Sequence, residues 1–184
     1  MKLETIKTIK ATINFKVDKS EIFKYPIQFD YFSREPYLEG STIKGALRYI
    51  MSESSGKVEH VGDIHMCSDK TCYICNVFGR SKEESIKAMN GPTRALIRGA
   101  YLTDTCRERL NKVIKEYKSK RELEQYLEEL EFEIIIHYKV FSIDGNSDID
   151  EIGLKKLVES IELLSRYGLG KYRKKIVLGN INIT

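Results

Sequence analysis

Residues 9 to 17 alternate without a break, with Ile9, Ala11, Ile13, Phe15 and Val17 on one side of an extended chain and Lys10, Thr12, Asn14 and Lys16 on the other. Successive side chains of a strand point to opposite faces, so this period of two specifies a half-buried strand. Residues 132 to 140 repeat it with Phe132, Ile134, Ile136, Tyr138 and Val140, and two more strands are expected over Arg94 to Leu102 and Lys175 to Ile183. Between the first and second strands Ser41 can cap a helix carrying Ile43, Ala46, Leu47 and Ile50 at helical spacing. Between the third and fourth, the turn Asp144-Gly145-Asn146 leads to a helix with Ile152, Leu157, Ile161 and Leu164 inside, closing near Gly168. The order βαββαβ predicts an α+β chain with a ferredoxin-like (RRM-like) core, one domain over residues 1–184. Residues 54 to 92 have no sustained period and read as an insertion closed by Asn90-Gly91-Pro92, and residues 106 to 130 read as an extra helical segment of one or two helices.

Charge and length narrow the class. A chain of 184 residues can bury a full core, and its hydrophobic fraction of 41% excludes wholesale disorder. No apolar run approaches the roughly 18 residues of a spanning helix, and the N-terminus lacks a signal-peptide core, so a cytoplasmic protein with no membrane contact is expected. The net charge of +4 is small, but it is unevenly spread. Arg107 to Arg121 holds seven bases against two acids, Glu122 to Glu133 holds six acids and no base, and Arg166 to Lys175 holds five bases and no acid.

The sharpest local signal is His65-Met-Cys67 followed by Cys72-Tyr-Ile-Cys75. Zinc takes four ligands at tetrahedral angles, and a Cys-x2-Cys pair spans two of them on one turn of backbone, so His65, Cys67, Cys72 and Cys75 form a structural zinc set. His60 competes with His65 for the fourth position. With four protein ligands no position remains for a reactive water, and the metal would order a segment too short to build its own core. Reduced thiols without metal are the alternative. Cys106 stands alone and reads as a small buried residue, and His137 as a satisfied sheet residue.

Two glycine segments are candidates for phosphate contact. Gly40-Ser-Thr-Ile-Lys-Gly45 starts like a P-loop, but Ala46 and Leu47 stand where Lys and Ser or Thr are required, so a nucleotidase is excluded. A glycine turn feeding a helix N-terminus, with Lys44 and Arg48 one turn apart, still suits a phosphate. Gly168-Leu-Gly170-Lys171-Tyr-Arg173 offers close backbone approach, charge and stacking surface for single-stranded RNA. A plain capped helix and a helix C-cap with a basic strand edge are the alternatives.

Together, Pro36-Tyr-Leu-Glu-Gly40-Ser41-Thr-Ile-Lys44-Gly45-Ala-Leu-Arg48, Cys67-x4-Cys72-x2-Cys75-Asn-Val-Phe78-Gly79, Thr93-Arg94-Ala-Leu-Ile-Arg98-Gly-Ala-Tyr101 and Gly168-Leu-Gly170-Lys171-Tyr172 resemble the RAMP proteins of CRISPR type III effector complexes, specifically the repeated backbone subunits that line the guide RNA. The resemblance implies an RNA-binding structural subunit for antiviral defence. It would contact guide RNA, target RNA and other RAMP subunits, with base pairing carrying the sequence information. It also implies RNA contacts at Gly40, Ser41, Lys44, Arg48, Arg94, Arg98, Gly168, Gly170, Lys171 and Arg173. Family members that cut target RNA place an Asp sixteen residues before the glycine matched to Gly40; here that position is Lys24. An ammonium cannot hold a divalent metal, so a divergent, non-cleaving subunit is expected. A metal-dependent endoribonuclease using Asp30 is the enzymatic alternative, and a zinc-stabilised protein-interaction domain the third.

Overall fold

The computed structural model describes residues 2–58, 65–80, 93–114, 129–142 and 148–184. Six strands form one antiparallel sheet in the order β2-β3-β4-β5-β1-β6: β1 Lys2–Lys16, β2 Ile27–Phe29, β3 Pro36–Glu39, β4 Ala95–Leu102, β5 Glu129–Ser142 and β6 Val177–Ile183. The helices are α1 Gly40–Ser54, α2 Tyr73–Phe78, α3 Asp104–Ile114, α4 Asp148–Glu162 and the single turn α5 Leu164–Tyr167, with a 3-10 segment at Lys19–Lys24. The four strands expected from sequence are β1, β4, β5 and β6, adjacent in the order β4-β5-β1-β6.

The alternating patterns sit in register. Ile9, Ala11 and Ile13 of β1 lie opposite Ile136, Ile134 and Phe132 of β5, and all six are buried. That pairing fixes which face is wet, because a one-residue slip would turn every apolar side chain outward. On the other face Lys10 pairs with Glu133 at 3.7 Å, and Asn14 lies opposite Glu131. The acidic block read as helical therefore divides: its last residues, from Glu129, are strand, where alternate acids face solvent and β1 lysines. Within the block, residues 115–128 lie outside the described residues.

Helix α1 packs on β3 and β4, α4 packs on β5, and α2 touches both helices. Ile43, Leu47 and Ile50 of α1, Leu157 and Ile161 of α4, and Leu164 join the sheet residues in one cluster. Tyr138 reaches from β5 into α4, donating its hydroxyl to the carbonyl of Asp150 at 2.9 Å. Burial and the Asp150 charge together raise that phenol above its ordinary range. Gly153 makes room for it: a Cβ there would lie 2.5 Å from the tyrosine oxygen and 2.9 Å from Val77.

Several local expectations need correction. Ser41 is not the N-cap of α1; Glu39 is, and Ser41 sits inside the first turn, donating to the Glu39 carboxylate at 3.1 Å. Ile152 is 46% exposed, while Gly153 and Asp150 face inward. The hairpin β2–β3, between β1 and α1, is not among the expected elements, because its strands are too short for alternation to reveal. In the 54 to 92 stretch, α2 is part of the main core: Ile74, Val77 and Phe78 are buried in the same cluster as the sheet. Residues 59–64 and 81–92, including His60 and the Asn90-Gly91-Pro92 turn, lie outside the described residues.

Candidate functional site

The last glycine segment folds as a small closed loop. Gly168 caps α5, its N–H reaching Leu164 O at 2.8 Å, and Leu169 and Lys174 exchange both backbone hydrogen bonds. Gly168 and Gly170 have φ of +75° and +77°, where a side chain is strained, and the buried Leu169 anchors the loop between them. The loop stands beside the outer face of α1, and the two segments, more than a hundred residues apart, form one groove of about 600 Å3. Ser41, Thr42, Gly45, Ala46 and Tyr49 line it from α1, Tyr167, Gly168 and Gly170 to Arg173 from the other side, and Lys24, Tyr25 and Pro26 close the end.

Rings and cations alternate along this groove. The Arg173 guanidinium lies 4.9 Å from the centre of the Tyr49 ring, Lys171 Nζ lies 5.7 Å from that of Tyr172, and Tyr49 meets Tyr167 edge to face at 6.1 Å. Lys174 instead turns to Glu21, 2.5 Å away, which also holds Lys24 at 2.5 Å. Hydrogen bonds from Lys174 and Lys24 hold the Glu21 carboxyl down to about 2. Among the described residues that line the groove there is no Asp or Glu.

The expected RNA contacts divide on this geometry. Ser41, Gly168, Gly170, Lys171 and Arg173 line the groove. Gly40 does not: it is buried where α1 crosses β4, and a Cβ there would lie 2.5 Å from Ile97 O. Arg94 is spent in the core, its Nε 2.9 Å from Asp150 Oδ1 and its guanidinium 4.8 Å from the Phe141 ring centre. Lys44 and Arg48 share a face of α1, but not the groove face, since one helical turn separates them while the groove residues lie on the other side. Burial and the neighbouring Arg48 lower the Lys44 ammonium. Arg98 is exposed on β4, outside the groove lining. Asp30 sits at the β2–β3 turn, where Oδ1 accepts from Phe32 N, Ser33 N and Ser33 Oγ at 2.8 to 3.0 Å. Those bonds, led by the Ser33 amide, hold its carboxyl low. What sequence reading missed is the contribution of Lys24, Tyr25 and Tyr49. In the sequence Lys24 stands out only as the residue in place of an acid.

The cysteine cluster assembles as expected. His65, Cys67, Cys72 and Cys75 bring their ligand atoms within 4.8 Å of one another, with Cys67 Sγ 3.8 Å from Cys75 Sγ and Cys72 Sγ 3.3 Å from His65 Nε2. A tetrahedral zinc with bonds of about 2.3 Å to sulfur and 2.0 Å to nitrogen requires edges of about 3.5 to 3.8 Å, close to the 3.8 Å between Cys67 and Cys75 and the 3.3 Å between Cys72 and His65, so the donor set suits the ion. The Cys75 thiol pulls Cys72 down to about 4, burial raises Cys67, and Cys75 rises beside its two neighbours. Arg80 ties the loop to α2, donating to the carbonyls of Cys67 and Asp69 and to Asn76 Oδ1.

A family model of the RAMP superfamily matches residues 9–171, nearly the whole chain. The chain belongs to the RAMP superfamily. One curated relative, the "CRISPR system Cms endoribonuclease Csm3" of Methanothermobacter thermautotrophicus, is 33% identical over 90 residues, covering 43% of this chain and 35% of the relative. The match thus spans about a third of that protein's length. A chain in the crystal structure of a Csm3-Csm4 subcomplex of the type III-A CRISPR-Cas interference complex superposes with a TM-score of 0.63 at 19% identity, covering 100% of this chain and 80% of that one. The Methanopyrus kandleri Csm3 crystal structure gives 0.64 at 15% identity, over 97% and 75%. This RAMP chain therefore shares the mixed α+β, antiparallel fold of Csm3. No helix among its described residues is long and apolar enough to cross a membrane.

Proposed function

We propose that this RAMP protein is a Csm3-like structural subunit of a type III CRISPR effector complex that binds guide RNA along the groove between α1 and residues 167–173. The observation that carries this reading is the joining of the two glycine segments into one groove whose rings and cations alternate. Cations neutralise phosphates and tyrosine rings stack on bases whatever their identity, which suits a guide that must vary in sequence. Ser41, Gly168, Gly170, Lys171 and Arg173 are the contacts retained from the sequence, with Lys24, Tyr25 and Tyr49 added. Arg98 is a further contact only if RNA leaves the groove across β4.

The order β4-β5-β1-β6 with α1 and α4 as crossovers supports a ferredoxin-like core, one RAMP domain over residues 1–184 with residues 54–92 as its insertion. His65, Cys67, Cys72 and Cys75 would hold a structural zinc that fixes this insertion without taking part in a reaction. The partners are guide RNA, target RNA and other RAMP subunits, and the role is antiviral defence in the cytoplasm. Lys24, and the lack of Asp or Glu among the described residues of the groove, support binding without cleavage.

Anisotropy titrations of a short single-stranded RNA test the reading. Lys171→Glu with Arg173→Glu should weaken binding at least tenfold and reduce the slope of log K against log salt by about 1 to 1.5. An unchanged affinity and slope would refute the groove. Incubating the assembled complex with complementary RNA and magnesium tests cleavage: intact RNA is expected, and cutting that disappears with Asp30→Ala would establish the enzyme instead.

A further inference from the structure

Arg48 is a buried cation whose charge the groove does not use. Its residue is 8% exposed, on the side of α1 turned away from the tyrosines. Its guanidinium donates to the His65 carbonyl from Nε at 3.2 Å and from NH2 at 2.8 Å, and NH2 also lies 3.8 Å from Cys75 Sγ. Among the described residues no carboxylate forms an ion pair with it, and its nearest charged neighbour on α1 is another cation, Lys44. Compare Arg94, also buried, which has Asp150 at 2.9 Å. A guanidinium taken out of water without an anion is costly, so a group near Arg48 must supply negative charge.

The cysteine cluster supplies it. Zinc with three thiolates and a neutral imidazole carries one net negative charge, because two positive charges meet three negative ones. One guanidinium balances it. We infer that Arg48 is the positioning residue of the metal centre: it neutralises the Cys75 side of a zinc–tris-thiolate site, fixes the backbone of the His65 ligand, and ties that site to α1, the helix whose opposite flank lines the groove. This inference rests on the zinc reading of the cluster. Arg48 makes no contact with a substrate, and its effect on RNA passes through α1. Lys would keep the charge but could not donate to the carbonyl from two nitrogens while reaching the sulfur, so the geometry asks for arginine.

The test uses the full chain with zinc and, separately, cobalt. Wild-type protein should hold one zinc per chain; a metal-free wild type would defeat the zinc reading itself, and this inference with it, before any variant is compared. Given zinc, Arg48→Met should release it to a competing chelator with at least tenfold weaker retention, and Arg48→Lys should fall between. In the cobalt proteins the sulfur-to-cobalt charge-transfer band should move to longer wavelength in Arg48→Met, since losing a hydrogen bond to a thiolate raises the sulfur donor level. A merely structural arginine would leave that band in place. Zinc retention within twofold of wild type in folded Arg48→Met, with an unshifted band, would overturn the inference. If Arg48→Met does not fold, Arg48→Lys decides: wild-type retention and band overturn it, and weakened retention with a shifted band sustains it.

Discussion

Gly170 lies against the ring of Pro26 so closely that a Cβ there would sit 2.9 Å from the proline Cβ. This contact joins the glycine loop to the end of the groove that holds Lys24 and Tyr25. Because Gly170 also has φ of +77°, Gly170→Ala combines backbone strain with a clash and should cost about 1–3 kcal/mol. Urea unfolding would measure the loss, and RNA affinity should fall in the folded fraction because the loop no longer seats on Pro26. Pro26→Ala should relieve part of it in the double variant.

The Arg94–Asp150 pair is the one most deeply buried among the described ion pairs, with side chains 4% and 3% exposed. Asp150 Oδ2 also accepts from the Phe141 amide at 2.9 Å, so the carboxylate holds β5 as well as the arginine. Asp150→Asn should cost about 3–5 kcal/mol, as a guanidinium is left without its anion. Replacing both residues, Arg94→Met with Asp150→Leu, should recover much of that in a chemical denaturation series. RNA binding per folded molecule should not change in either.

Gly153→Ala should cost about 1–3 kcal/mol, because its methyl would displace the Tyr138 hydroxyl and Val77 together. Tyr138→Phe in the same chain should recover part of the loss, read as a shift in thermal midpoint.

Glu21 gives a pH signature. Its folded value of about 2 lies below its ordinary 4.5, so the stability it contributes is present above about 4.5 and is lost as pH falls towards 2. Wild type should therefore melt above Glu21→Gln at neutral pH, and the gap should close between pH 4.5 and 2. A gap constant across that range would show that Lys24 and Lys174 do not depend on this carboxylate.

The strands with strict alternation were legible because period two and burial coincide, as in Ile9 to Phe15 against Phe132 to Ile136. Helix α1 was legible for the same reason at period 3.6. The hairpin β2–β3 was not, since three and four residues are too few to show a period. The cysteine cluster could be read from spacing alone because coordination geometry is local. The groove could be read only in halves: its two glycine segments signalled backbone approach, yet nothing in the order of residues says that they meet. The arginines mislead most. Arg48, Arg94 and Arg173 look alike in sequence; exposure sets Arg173 apart, and only their partners separate the other two, the His65 carbonyl and Cys75 Sγ for Arg48 and Asp150 for Arg94.

The place of β1 between β5 and β6 has a consequence for how the chain is made. Its partners β5 and β6 begin at Glu129 and Val177, more than a hundred residues after β1 ends at Lys16. At about 5–20 residues per second, a ribosome holds that gap open for roughly 6 to 23 s. Throughout that time Ile9, Ile13 and Phe15 have no strand to pair with, so the nascent chain carries an apolar ribbon long before β5 and β6 emerge to flank it. Chaperone demand during synthesis should thus centre on the N-terminal strand, and slowed translation before Glu129 should lower soluble yield more than slowing after it.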